Sequence, residues 1–274
     1  MNTSLYKNRS IKTLRVLAAS LKQRAQAETA YLGNFWAELS STFLYVVTYV
    51  VFIELLFRRA GTIADFSKND FLFMSLIGQF TFYVVAQFLA IPMYYLLGAV
   101  RKGEFDLLLL KPAPTRMLLY ASAIRPLYLL MVSLPNIILF CLLIDWGELQ
   151  LSALSVLSGA IVWVSGLVIF KTLLFVLVYP VFTQGDSTDL MNTWYASLAM
   201  TEIPYHRLPF SMKALSFVML PALLMTAGAT QVILMKGASA LAVIIPAIIA
   251  AALAAALLSV LWQRALRNYT SASS

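Results

Sequence analysis

Charge is scarce in this 274-residue chain: only 12% of its residues are charged, while 61% are hydrophobic. Soluble domains carry about 25% charged and 45–50% apolar residues, so a soluble fold of this size could not bury so much apolar surface. A cytosolic enzyme and a disordered chain are both excluded. Cysteine is nearly absent. Cys141 stands alone, which excludes an internal disulfide and a thiolate metal site. His206 is the single histidine and builds no histidine-rich metal centre. No GxxxxGK[ST], HExxH or G-x-S-x-G run occurs. The chain therefore has no P-loop and no visible catalytic machinery. We expect no catalytic residue, no metal site and no cofactor in it.

In place of these the chain has long apolar runs. A hydrocarbon core of about 30 Å needs about 20 apolar residues in a helix. Runs of that length, without ten-residue alternation, predict helices and not a barrel. The expected class is an all-α integral membrane protein with spans at about 35–57, 71–100, 126–144, 154–181, 188–206 and 240–262. Pro92 should kink the second span near its end. The segment 188–206 is short, contains Glu202 and ends in a proline-rich patch, and the apolar run after it is broken by Pro221 and Gly228. Two readings compete there: two further spans, or one crossing followed by helices that re-enter the outer leaflet over 207–236.

Charge selects between them. With six spans and the N-terminus inside, thirteen Lys/Arg face the cytoplasm. Six face out (Arg58, Arg59, Lys68, Arg207, Lys213 and Lys236), and Lys171 lies within the membrane. Seven spans would reduce that bias to eleven against eight. The positive-inside rule favours six, with an outer re-entrant region. The net charge of +8 then reflects anionic lipid at the cytoplasmic face and not nucleic acid. Residues 1–33 read as a cytoplasmic amphipathic helix, with Ile11, Leu14, Ala18, Leu21 and Ala25 on one stripe. Residues 263–274 read as a cytoplasmic tail.

The most informative segment is 101–115, between the second and third spans. Gly103 permits a turn, and Glu104 and Asp106 sit where acids favour a helix start. Leu107–Leu110 form a short apolar surface, and Pro112 and Pro114 stop the helix. An apolar helix too short to cross, on the cytoplasmic side, wants a groove in another protein.

The run Arg101–Pro114 resembles the G-x-[LF]-D-x-x-L-x-[KR]-P signature of ABC-2-type permeases. It is similar in particular to a group of ABC transport permeases that includes viologen-type exporters. The ending Trp262–Ser271 resembles that group's Trp followed by GLRxYxSxG, with Ala265 in place of the glycine and no final glycine. Phe217–Ala222 resembles its outer xIIPAxF segment. The resemblance implies six spans, an N-terminal elbow helix, and a coupling helix whose residues would be Gly103, Glu104, Phe105, Asp106, Leu107 and Leu110. It also implies a paired second permease half, the same or homologous, and two copies of a separate ATP-binding subunit that holds ATP and Mg. The place implied is the bacterial cytoplasmic membrane, with both termini cytoplasmic. On this reading Phe105 and the leucines insert into the ATPase.

The intramembrane ionisable residues Lys171, Glu202 and His206 are the candidates for a translocation path. A charge at mid-bilayer costs about 2.5–3.5 kcal/mol and so faces a cavity or a partner, and a Lys171–Glu202 pair is one expectation. The function expected is the permease half of an ATP-driven exporter of a small-molecule or lipid-like substrate. The alternatives are a lipid-linked glycan exporter of the same superfamily and a membrane assembly protein with no transport role. A secondary transporter would show inverted repeats or paired intramembrane acids, and the sequence has neither.

Overall fold

The computed structural model describes residues 3–29, 32–111, 113–182, 192, 203–237 and 239–269; side chains are described from Val16 on, except those of 32, 34 and 35. Among the described residues the chain is helical. Helix α1 (Thr3–Thr29) precedes α2 (Leu32–Ala60). The second long helix is α3 (Lys68–Val85), continued through a π turn (Ala86–Ala90) into α4 (Ile91–Arg101). Short α5 (Phe105–Leu109), α6 (Thr115–Ala123) and α7 (Pro126–Tyr128) follow, then a π turn (Leu129–Ser133), α8 (Leu134–Leu143) and α9 (Ala153–Val178). The last helices are α10 (Phe210–Ser216), α11 (Pro221–Leu223), α12 (Ala229–Ile233) and α13 (Leu241–Asn268).

Five of these stretches are long and apolar enough to cross a membrane: Trp36–Ala60, Lys68–Arg101, Pro126–Leu143, Ala153–Phe182 and Leu241–Asn268. Local chemistry sets their ends. Ser67 accepts from the Asp70 amide while Asp70 accepts from the Ser67 amide, a capping box that starts α3. Ser152 and Ser155 start α9 in the same way. The π turns precede Pro92 and Pro135, where a missing N–H and the ring's clash with the i−4 carbonyl disturb the helical ladder. The interior of the second span relaxes into the π turn without a sharp break.

Side-chain contacts fix the relative direction of three of the spans. At one pole Asn69, at the start of α3, exchanges hydrogen bonds of 2.7 and 2.9 Å with the Asp145 backbone ahead of α9. At the other pole Phe105, after α4, meets Phe182, after α9, at 5.8 Å. The second span and α9 therefore run in the same direction. So does α13, whose Trp262 lies 5.6 Å from Phe175. Two apolar cores result, one around Phe71, Phe140 and Leu224, the other around Leu96, Phe105, Phe170 and Trp262. The second span and α9 form the buried middle, whereas only 11% of the apolar window of α2, and the same share of α13, is covered.

Residues 203–237 leave and return to one loop. Arg207 pairs with the Asp65 carboxylate at 2.5 Å, and Lys236 donates to the Asp65 carbonyl at 2.9 Å and pairs with Asp70. Between these ends α10 and the α11–α12 stretch bend by 94°. The inserted arm packs on α9 and α3, close against Gly159 and Gly166. A methyl group at Gly159 would overlap Ile233 and come within 3.0 Å of the Ala229 carbonyl oxygen. The expected fifth span, 188–206, lies almost wholly outside the described residues. Phe182 and His206 bracket it at opposite poles.

Helix α1 packs across α6 and α7. Its covered side chains include Leu17, Ser20, Arg24 and Glu28, while Ala18 and Leu21 of the apolar stripe stay exposed. Arg125 holds it in place: the guanidinium grips Glu38 of α2 through two hydrogen bonds of 3.0 and 2.8 Å and lies 3.9 Å from Glu28.

Candidate functional site

Helix α4 ends because Gly103 takes φ +71°, a left-handed value that costs glycine little. The chain turns there and makes the five-residue helix α5. Its two faces differ sharply. Phe105 is 0% exposed and Leu108 3%. Leu107, Leu109 and Leu110 are exposed by 61%, 42% and 82%. Glu104 is exposed, while Gly103 and Asp106 are half-buried.

The buried face corrects one sequence expectation. Phe105 does not reach outward to a partner. It fills a box of aromatic rings within its own chain, edge-on to Phe182 at 5.8 Å and to Tyr269 at 5.1 Å. The physical reason is length. A five-residue helix has about 1.4 turns, too few to be held by its own hydrogen bonds, so one face must be anchored on the spans behind it. The anchor is formed by the C-terminal run: Trp262 and Ala265 are buried in the same cluster. Burial, and then the Asp106 carboxylate beside it, raise the Tyr269 phenol above its ordinary pKa. The two runs, more than 150 residues apart, thus form one structure.

The candidate path residues do not converge. Lys171 lies in the α5 half, its ammonium 4.9 Å from the Tyr120 ring centroid. His206 lies at the opposite pole, stacked on Phe66 at 5.8 Å, with its Nε2 3.5 Å from Asp65. Its ring is wedged beside Gly237, where a Cβ would fall 2.8 Å from the His206 Cβ. Glu202, and with it the expected Lys171–Glu202 pair, lies outside the described residues. No group of three or more His, Cys, Asp or Glu fit to hold a metal occurs among the described residues.

A family model described as "ABC-2 family transporter protein" matches residues 43–273. The chain belongs to the ABC-2 transporter family. The match takes in most of α2, every later span, α5 and the C-terminal run, so the permease carries its family signal in the parts just described. No curated protein and no solved structure matches it. The family and the apolar helices together make it a multi-pass membrane permease of an ABC transporter. Sequence reasoning missed two features of this permease. Arg116 stacks over Trp262 at 4.6 Å, although the sequence presented Trp262 only as the start of the C-terminal run and Arg116 not at all. Arg125 joins three helices through Glu28 and Glu38, and nothing in the local sequence distinguishes it from other basic loop residues.

Proposed function

We propose that this permease is half of an ATP-driven exporter and that α5 couples it to a separate ATPase subunit holding ATP and Mg. The observation that carries this reading is the split face of α5. Phe105 and Leu108 root it in the ends of the second span, α9 and α13, while Leu107, Leu109 and Leu110 are left uncovered. A groove that pulls on those leucines moves three spans together, because their ends share one aromatic box. Glu104 at the rim would orient the contact, since charges beside an apolar anchor set register more than affinity. Asp106 belongs to the mount, beside Tyr269.

The layout that goes with this function has six crossings, α1 lying on the cytoplasmic surface, and 207–236 as an outer re-entrant hairpin. Its support is that Phe182 and His206 lie at opposite poles, while both ends of the hairpin are tied to Asp65. The apolar stripe of α1 that α6 and α7 leave uncovered would face lipid. Two such permeases, the same or homologous, would pair in the bacterial cytoplasmic membrane.

Co-purification with the cognate ATPase tests the coupling. Leu107→Asp with Leu110→Asp should reduce ATPase recovery at least tenfold at equal permease expression, since apolar interface anchors carry about 1–3 kcal/mol each. Recovery equal to wild type would remove α5 from the contact.

A further inference from the structure

Lys171 and Arg116 face one cavity, and neither pairs with a carboxylate among the described residues. The cavity, about 30 Å³, lies between α4, α6, α9 and α13. Its polar lining is Lys171, Arg116, Tyr120 and Trp262, and its remaining walls are apolar, among them Met93 and Leu258. Each cation lies over a ring, Lys171 over Tyr120 and Arg116 over Trp262. A π face offsets part of an ammonium's or guanidinium's desolvation but supplies no counter-charge. Two like charges therefore line one cavity with no carboxylate opposite them among the described residues. The Tyr120 hydroxyl is buried as well, without a hydrogen-bond partner among the described residues. Such a group is rare in a finished interior and calls for an explanation.

We propose that this cavity binds the phosphoryl oxyanion of a membrane amphiphile. Lys171 and Arg116 supply the charge, and the Tyr120 hydroxyl donates the third contact. The volume admits about one or two oxygen-sized atoms, which is the reach of a phosphoryl group's oxygens and less than a whole ligand. Arg116 is exposed, so the remainder of the molecule extends past it. The apolar walls suit acyl or glycerol carbons, and basic pockets between membrane helices commonly hold anionic headgroups. Bound there, the ligand bridges α6, which follows the coupling segment, to α9 and α13. The site stands on its own geometry and does not depend on the direction or substrate of transport.

The full-length chain, purified in an uncharged detergent, tests this by thermal unfolding and native mass spectrometry. The probes are dioleoylphosphatidylglycerol, dioleoylglycerol with the same tails but no phosphate, and inorganic phosphate. Phosphatidylglycerol should raise the unfolding midpoint and remain bound, while dioleoylglycerol does neither. Lys171→Gln and Arg116→Gln should each weaken phosphatidylglycerol binding at least tenfold, and Lys171→Arg should retain it. Tyr120→Phe, which leaves the ring and the fold in place, should weaken it severalfold. Arg264→Gln with Arg267→Gln, exposed cations at the same pole, should change nothing. Equal binding of the two lipids, or binding unaltered in both Lys171→Gln and Tyr120→Phe, would overturn the site. A shift produced in full by inorganic phosphate would overturn the amphiphile assignment.

Discussion

Phe105→Ala separates a residue that touches the ATPase from one that mounts the coupling helix. Phe105 has no exposed surface and meets Phe182 and Tyr269 edge-on at 5.8 and 5.1 Å. Truncating a buried phenylalanine costs about 3–5 kcal/mol, the transfer of the ring plus the cavity left behind. The two edge-to-face contacts account for about 0.5–1.5 kcal/mol each of that loss. For a chain of this size the melting midpoint should fall on the order of 10 °C. Leu110, 82% exposed, gives the contrast: Leu110→Ala should leave the midpoint within about 1 °C, since exposed substitutions change stability by no more than about 0.5 kcal/mol. The assay is thermal unfolding of each purified variant, paired with recovery of the ATPase by co-purification. Phe105→Ala should lower both readouts, and Leu110→Ala only the second. A Phe105→Ala permease that melts like wild type yet loses its ATPase would mean that the ring points outward, and the mounting argument would fail.

Gly159→Ala should destabilise the permease by about 1–3 kcal/mol through overpacking against Ile233 and the Ala229 carbonyl; an unchanged or raised melting midpoint would contradict the close seating of the hairpin. Arg125→Ala strips Glu28 and Glu38 of their common partner. With Glu28 only 12% exposed but Arg125 a third exposed, the loss should be about 1–3 kcal/mol, between the values for surface and buried pairs, and limited proteolysis should cut α1 faster. At the opposite pole, Arg207 and then His206 hold the Asp65 carboxyl below its ordinary range. Its folded pKa thus lies below its unfolded one, so the clasp is complete above about pH 4 and is lost as the pH falls through the folded value. The difference in melting midpoint between wild type and Asp65→Asn should accordingly shrink from pH 5 to pH 3, and a constant difference would count against the clasp.

Much of this molecule follows from one-dimensional chemistry. The membrane class rests on apolar run length against bilayer thickness, a constraint that no tertiary arrangement can relax. The end of α4 was legible from Gly103, whereas the Ser67 and Ser152 caps that start α3 and α9, although local, became evident only in the structure. The acids Glu104 and Asp106 at a helix start and the stops at Pro112 and Pro114 were legible too, which is why a short apolar helix could be placed between Gly103 and Pro112. What the sequence could not yield is which side of that helix looks outward. Phe105 and Leu107 are both large and apolar, and only the proximity of Phe182 and Tyr269, from 77 and 164 residues downstream, decides that the first is buried and the second is not. The same holds for Lys171. Its charge flagged it for a partner, but a partner across the bundle has no sequence spacing, and the fold supplied Tyr120 and the neighbouring Arg116. Contacts within a turn are set by covalent connectivity and therefore legible in order along the chain, whereas contacts between spans are set by packing, which only the tertiary structure decides.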